Sequence, residues 1–426
     1  MISVSFDVPI NDAYDVIVAG GGAAGCAAAA SAARRGAKTL LIEASGFLGG
    51  MASGGMVPEF CPYTDGEKII HHGIAEDVLF QMKAGTPDAP EKLDYCTIDA
   101  ERMKSILDAL VTEAGADVLF YATVCGADVS DGRIRTIYAA DKSGIRGYRA
   151  PVFVDCTGDA DLAAFAGCDF TVGDNAGTTQ MPTLCFDMCG IRDEGIHVES
   201  AVRKILPQIV ADDEFPLIDN TFFCTMKLAD GLYGFNAGHV REVACLDRAS
   251  VSAGMIEGRK KAQQYRDALK KYMPEVFADA HITATAPLLG VRETRRIAGE
   301  YTLTADDYRA RRSFPDEIGR NSYAIDLHDP AWFYKNEEVN AVCGKYERGD
   351  SHGIPYRCLV PKKIDNLLVA GRCISCGRAV QSSVRIIPVC FVTGEAAGCA
   401  AAIMHEDGCA ARDVDIAELK RALGQM

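Results

Sequence analysis

Gly20, Gly22 and Gly25 stand in G-x-G-x-x-G spacing, with Glu43 further along. Glycines so spaced suit a dinucleotide. The first permits a tight turn, the second lets the backbone approach a pyrophosphate, and the third lets a helix pack closely on a strand. The free N–H groups at the start of the following helix, at Ala23 and Ala24, would face the phosphates with the positive end of the helix dipole behind them. Glu43 stands near where an acid binds the adenosine ribose hydroxyls, and its charge disfavours a 2′-phosphate. Glycine is common, so the spacing alone is weak, and a glycine turn without a ligand is the alternative.

Three other constellations could do chemistry. Arg292, Glu293, Arg295 and Arg296 form a dense charged cluster in GVRETRR. Its arginines could hold a substrate carboxylate in bidentate fashion, or pair internally and bridge two domains. His328, in YAIDLHDP, could take a proton from an alcohol with Asp326 or Asp329 orienting it. The alternative there is a capped turn before Pro330. Cys373 and Cys376 make a C-x-x-C that would suit dithiol exchange in another setting. No metal site is expected. His71 and His72 lack nearby ligands at metal spacing and read as a helix entry. Cys185 with Cys189, and Cys373 with Cys376, fall short of the closer set of four that an iron–sulfur cluster needs. Cys26 reads as core packing.

The elements around the glycines support the dinucleotide reading. Residues 14–19 form a short apolar run of β-formers, as a strand buried on both faces would. Residues 23–33 are nearly all alanine, the best helix former. Arg34 and Arg35 suit a helix C-terminus and Gly36 can close it. Residues 38–42 predict a second strand. A glycine-rich loop at 44–57 follows, permitting close backbone approach to a ligand. A helix is predicted over 73–83. Asp99 can cap another over 100–114, closed by Gly115. Alternating strands at 118–124, 133–140 and 147–154, joined by Asp131-Gly132 and Ser143-Gly144 turns, predict a β-meander. It leads into the apolar strand of VFVDCTGDADLA. The character then changes: strands at 181–188 and 221–227, and a long charged helix at 251–272. The α/β pattern returns with a buried strand at 366–370, a helix at 389–404 and a small amphipathic helix at 413–423. A nucleotide site near the start and a core strand near the end imply a discontinuous domain with the middle inserted, and ligands between the two parts.

Composition narrows the class. A chain of 426 residues holds two or three domains. Its formal charge of −15 argues against nucleic acid or an anionic membrane surface as main partner. The opening MISVSFDVPIND lacks the order of a signal peptide, and no apolar run of about 18 residues predicts a membrane span. The 17 cysteines are odd in number and scattered among strands and helices. That pattern suits a reducing cytoplasm with free, buried thiols.

The N-terminal unit, the meander, VDCTGDADLA and the C-terminal strand and helix resemble an FAD-dependent oxidoreductase with a glutathione-reductase-like FAD-binding fold. LLGVRETRRIAGEYTLTADDY (288–308), IPYRCLVPKKIDNLLVAGRCIS (354–375) and SSVRIIPVCFVTGEAAGCAAA (382–402) narrow the resemblance to the FAD-dependent oxidoreductase family common in bacterial genomes. It implies an α/β fold: a discontinuous Rossmann-like FAD-binding domain with a β-meander (12–165 and 351–410), an inserted α+β substrate domain (166–350), and a C-terminal helix (411–426). It implies noncovalent FAD. Gly20, Gly22, Ala23, Ala24 and Gly25 would hold the pyrophosphate, and Glu43 with Ala44 the adenosine ribose. Gly49, Gly50, Met51 and Ser53 would line the ribityl–flavin side, and Val124 would meet the adenine edge. Thr157 and Gly158 would flank the cofactor, Gly371 and Arg372 would meet the ribityl chain, and Ile386 and Ile387 would bring a helix N-terminus to the flavin.

The resemblance further implies hydride transfer between flavin and a small polar or anionic substrate, such as a hydroxy acid, polyol or unsaturated acid. Tyr356 and Arg385 would lie on loops reaching the flavin. Arg378, a further catalytic candidate, stands where many relatives carry a histidine; arginine cannot act as a base near neutral pH, so either the chemistry at that position differs or it binds an anion. A reductase of an activated double bond, an electron-transfer subunit with a partner protein, and a non-catalytic FAD-binding sensor are the alternatives. Homo-oligomerisation is left open.

Overall fold

The computed structural model describes residues 7–329 and 346–425. Pro330, expected to follow a capped turn, lies outside them, as do the first six residues of the opening segment. A five-stranded parallel sheet organises the larger unit. Its strands lie in the order Leu367–Val369, Val152–Asp155, Val16–Ala19, Thr39–Ile42 and Asp117–Leu119. The first four are buried along their whole length. Near-continuous apolar runs of this kind belong to parallel sheets covered on both faces. The strand beside the glycine turn is thus central, flanked by Val152–Asp155 and Thr39–Ile42, and Leu367–Val369 from late in the chain adds at the outer side of Val152–Asp155.

A second sheet carries the meander. Thr123–Ser130, Arg133–Asp141 and Gly144–Tyr148 pair in sequence order, and Ile10–Asn11 adds in parallel at the edge. Two expected strands are each divided. Residues 118–124 split because Tyr121 turns the chain with φ 56°, sending Asp117–Leu119 to the parallel sheet and Thr123–Ser130 to the meander. Residues 147–154 split at Pro151, which cannot donate to a ladder.

The middle of the chain folds on its own core. Phe223–Ala229, Leu232–Ala237, Phe186–Cys189 and His281–Thr285 form an antiparallel sheet in that order. Helices Val198–Val210 and Arg248–Tyr272 cover it through Val202, Leu206, Ala262, Tyr265 and Leu269. The second helix ends where expected but begins at Arg248, ahead of the expected 251, because Asp247 caps it by accepting from Ser250 N.

Helix Ala23–Arg34 packs against helix Ile387–Asp407 with almost no side chain between them. A Cβ added at Gly394 would meet Ala24 O at 2.1 Å, and one at Gly398 would meet Ala28 O at 2.2 Å. Ser31 Oγ donates to Glu395 O at 3.1 Å across the contact. The contacts advance together along both helices, so the two run parallel with their N-termini at one end. The later helix is long and apolar enough to cross a membrane, and 83% of its most apolar 18-residue stretch is buried. That corrects the expectation that no such run exists: glycine and alanine make it apolar because it fills the core. Asp99 caps Ala100–Glu113 as expected.

His71 is fully buried and neither ring nitrogen has a partner, while His72 is exposed and pairs with Glu76. No metal-binding group of His, Cys, Asp and Glu occurs among the described residues.

Gly398→Val will force these helices apart and cost about 1–3 kcal/mol or more, read as a lowered denaturation midpoint. Burial pushes His71 down to about 3, while an unfolded histidine titrates near 6.5. Between those values the unfolded chain binds the extra proton, so this residue's contribution falls as pH falls. His71→Leu will therefore gain on the parent chain by up to about 2 kcal/mol between pH 7 and pH 5. Parallel denaturation curves at the two values would refute this.

Candidate active site

The glycine turn has the form its spacing demands. Gly20 adopts φ 92°, and a Cβ at Gly25 would lie 1.8 Å from Gly20 O, so strand and helix touch there. Gly22 is different: a Cβ there would meet no protein atom within 4 Å. The space above it is open, and the helix that starts at Ala23 has no side-chain cap. The N–H groups of Ala23, Ala24 and Gly25 are the orphan donors of a first helical turn. Gly49 N donates to Gly21 O at 2.8 Å, and Gly22 and Gly49 pair as a parallel bridge, which brings the second glycine loop over the first. Glu43 accepts from Gly21 N at 2.6 Å and Ser45 N at 2.7 Å, stitching both loops to the strand end, with Ala44 between its two contacts. These groups fit a pyrophosphate: an open glycine cradle over an uncapped helix start.

The remaining cofactor candidates are spread around this cradle. Gly50 adopts φ 54°, with Met51 beyond it. Ser53 is buried, its hydroxyl donating to Leu48 O. Val124 pairs with Ala139 on the first meander strand. Thr157 donates through N and Oγ1 to Asp155 Oδ1 at 3.0 and 2.8 Å. Asp155 also accepts from Ala163 N, and burial pushes its carboxyl up to about 6. It shapes the Thr157–Gly158 turn and was not singled out from the sequence. Gly371 N donates to Thr393 Oγ1 at 3.1 Å. Ile386 is the N-cap residue of helix Ile387–Asp407, which also lacks a side-chain cap. Two uncapped helix starts thus face the same end of the sheet.

The charged candidates divide sharply. Arg372 donates to Gly158 O, Val291 O and Asp159 Oδ1 at 2.9, 2.7 and 2.6 Å. Its guanidinium is committed to protein groups and bridges the two units. Arg378 pairs with Asp329 and with Glu293, which is fully buried and also takes Arg296 and the Gln180 N–H. Arg295 binds Asp161 and Asp159 O. These arginines follow the internal-pairing alternative, and the expectation of a catalytic Arg378 is corrected, since buried carboxylates hold its guanidinium. Tyr356 is corrected too: it is buried and its hydroxyl donates to Ala411 O at 2.8 Å, away from the glycine cradle.

Arg292 does something else. It is buried, yet it bonds only through Nη1, to Met181 O at 2.8 Å and Thr183 Oγ1 at 2.9 Å. Its guanidinium lies 5.3 Å from the Phe222 ring centroid, and burial with the nearby Arg385 lowers it to about 10. Arg385 reaches Asp326 O at 3.3 Å and its carboxylate at 3.6 Å, and its Nε is buried without a partner.

Between these arginines runs a polar chain. Tyr323 donates to Asp326 Oδ2 at 3.1 Å, His328 Nε2 meets the same oxygen at 2.9 Å, and His328 Nδ1 meets His239 Nε2 at 2.7 Å. Phe222 stacks on His239 at 4.5 Å and stands edge-on to His328 at 5.0 Å. Segment 321–328 is held on helix Arg378–Val384: Asn321 Nδ2 donates to Ser383 Oγ at 2.7 Å and Asp326 N to Ser382 Oγ at 3.1 Å. His239 and Phe222 come from the strand ends of the inserted sheet. The site is therefore assembled across the seam.

Burial, with Arg292 behind it, lowers His328 to about 4 and depresses His239 further. Burial raises Asp326, but His328, Arg385 and Arg292 outweigh it and hold the carboxyl below its ordinary range. The expected partner Asp326 thus does orient His328, while Asp329 serves Arg378. On the other side, Cys61 feels Glu59, Asp326 and Arg385. Burial and Glu199 push Glu59 up to about 7, and Cys224 Sγ lies 3.6 Å from it. His239, Phe222 and Glu59 carry no local sequence signal; only sheet packing brings them together. Cys373 and Cys376 are buried thiols, both pushed up by burial, which disfavours the thiolate that dithiol exchange needs.

The family described as FAD dependent oxidoreductase matches residues 15–423. No curated protein matches the chain in sequence. Among solved structures, a geranylgeranyl bacteriochlorophyll reductase-like protein of Thermoplasma acidophilum is 13% identical, over 98% of this chain and 83% of that one, with a TM-score of 0.45. The p-nitrophenol 4-monooxygenase of Pseudomonas putida is 10% identical over 98% and 87%, with a TM-score of 0.47. A flavin-dependent brominase is 12% identical over 96% and 84%, with a TM-score of 0.49.

Gly22→Val will fold, because its side chain enters open space, and will lose FAD, because that space is the cradle. Flavin absorbance per mole of folded protein checks both halves, and a fully loaded variant would refute the cradle. The chain belongs to the FAD-dependent oxidoreductases: it is an oxidoreductase enzyme, and its cofactor is FAD.

Proposed function

We propose that this enzyme transfers a hydride between FAD and a small anionic organic molecule, of the hydroxy-acid kind, bound between the FAD-binding unit and the inserted sheet. One observation carries the reading: a Tyr323–Asp326–His328–His239 chain, with both histidines buried and Tyr323 and Asp326 half-buried, lies beside Arg292 and Arg385, and among the described residues neither arginine has a carboxylate of its own. When bound, FAD supplies the two-electron redox chemistry at N5.

In this reading the cradle of Gly20, Gly22, Ala23, Ala24 and Gly25 holds the pyrophosphate, and Glu43 with Ala44 the ribose. Gly49, Gly50, Met51, Val124, Thr157, Gly158 and Gly371 line the rest, and the dipole at Ile386 and Ile387 faces the flavin. Ser53 acts indirectly, by holding its loop.

The protein's own part is charge and proton placement. The two arginines and Asp326 leave one positive charge in excess while both histidines are neutral. A substrate carboxylate would cancel it through Arg292 and Arg385. Among the described residues the donors to Asp326 all meet Oδ2, which leaves Oδ1 as the oxygen that meets the substrate hydroxyl. Both nitrogens of His328 are engaged, so it acts through Asp326 as a positioning residue and proton relay. Cancelling the excess charge also removes part of what depresses both groups, so the anion itself prepares the base.

Anaerobic addition of hydroxy acids, matched neutral polyols and unsaturated acids to the holoenzyme tests this. Oxidised flavin bands will bleach with a hydroxy acid in preference to its neutral counterpart. Reoxidation of reduced flavin by an unsaturated acid alone would instead mark a reductase of activated double bonds. Response only to a partner protein would overturn the reading. Arg292→Ala will keep FAD and weaken substrate binding about 10- to 100-fold; unchanged affinity would remove the clamp. His328→Asn will shift the pH profile of bleaching more than the affinity.

A further inference from the structure

The inserted sheet carries a second set of groups with reactive geometry, far along the strand from Cys185. Cys189 and His281 are directly opposed residues on antiparallel strands Phe186–Cys189 and His281–Thr285. Their side chains meet: Cys189 Sγ lies 3.0 Å from His281 Nε2. His281 Nδ1 lies 3.3 Å from Asp279 O. A carbonyl can only accept, so that contact places the ring proton on Nδ1 and turns the Nε2 lone pair to the thiol. Gly190 allows this approach, since a Cβ there would lie 2.4 Å from the same Asp279 O. His281 is exposed and Cys189 half-buried, so small molecules can reach the sulfur. A nucleophile, a base within hydrogen-bond reach and a third group orienting the base make the arrangement of an activated thiol. The other thiols differ. Cys125 is exposed, and no imidazole is recorded against it. Cys224 faces the Glu59 carboxyl, which works against a thiolate.

We propose that Cys189 and His281 form a nucleophile–base pair that takes low-molecular-weight disulfides, independently of the flavin site. His281 Nε2 takes the thiol proton, and the Cys189 sulfur attacks one sulfur of the disulfide. A new S–S bond forms as the old one breaks. Cys189 is oxidised to a mixed disulfide, the departing sulfur is reduced, and it leaves as a thiol with the proton from His281. The small disulfide is the only oxidant required.

Oxidised glutathione added below stoichiometry to the holoenzyme, followed by peptide mass spectrometry, tests the proposal. Cys189 will carry the adduct about tenfold ahead of Cys125. Its alkylation by iodoacetamide at neutral pH will also run ahead of that of Cys125 in the same sample. His281→Asn will bring Cys189 down to the rate of Cys125 without changing flavin content or the rate at Cys125. Equal rates at the two thiols in the unmutated chain, or an unchanged Cys189 rate in the variant, would overturn it. The relative rates at the two thiols in the unmutated protein decide the matter even if the variant folds poorly.

Discussion

The close contact between helices Ala23–Arg34 and Ile387–Asp407 is the constraint on which the molecule depends. One helix follows the glycine turn and the other lies some 360 residues later, yet their backbones touch at Gly394 and Gly398. Only hydrogen and methyl groups fit there, which explains two helices so rich in alanine and glycine. The contact fixes both helix starts at one end of the parallel sheet. Neither start has a capping side chain. The same packing that builds the core therefore leaves two sets of unmatched N–H donors side by side, where an anionic dinucleotide and a flavin ring can use them.

The seam between the two units is where charge is sorted. Buried arginines occur there in number, and their roles follow from what neutralises each. Arg372 has Asp159; Arg296 and Arg378 share Glu293; Arg378 also has Asp329. Buried pairs of this kind are weak stabilisers, but losing one partner leaves a charge without compensation. They act as locks between the FAD-binding unit and the inserted sheet. Arg385 pairs with Asp326, a carboxylate that is also bonded to His328 and Tyr323, and among the described residues Arg292 bonds a backbone carbonyl and a threonine hydroxyl instead of an acid. The difference between lock and site is a difference of one acid.

Most of the larger unit was legible in the sequence because its signals are local. Glycine spacing, an alanine helix, apolar strands and the Asp99 cap each act within a few residues. Strand ends were less legible: Tyr121 in a left-handed conformation carries no composition signal, and Pro151 was overlooked inside an apolar run. The cofactor cradle could be read from spacing. The polar chain could be read only in half, since Asp326 and His328 share a segment while His239 and Phe222 arrive on a separate sheet. Arg292 and Arg378 look alike in sequence. The buried carboxylates of Glu293 and Asp329, which hold Arg378, tell them apart.

The two cores are written differently along the chain. That of the inserted sheet draws every buried member from Phe186 to Ala280, whereas the largest core runs from Val16 to Leu419. During synthesis the ribosome delivers the whole of the smaller core well before Leu367–Val369 and the helix after it emerge. Strand Val152–Asp155 must wait with an open flank for Leu367–Val369, and helix Ala23–Arg34 for the late helix that packs on it. The inserted unit can be folded by then, so the late segment closes the flavin domain around a neighbour already in place.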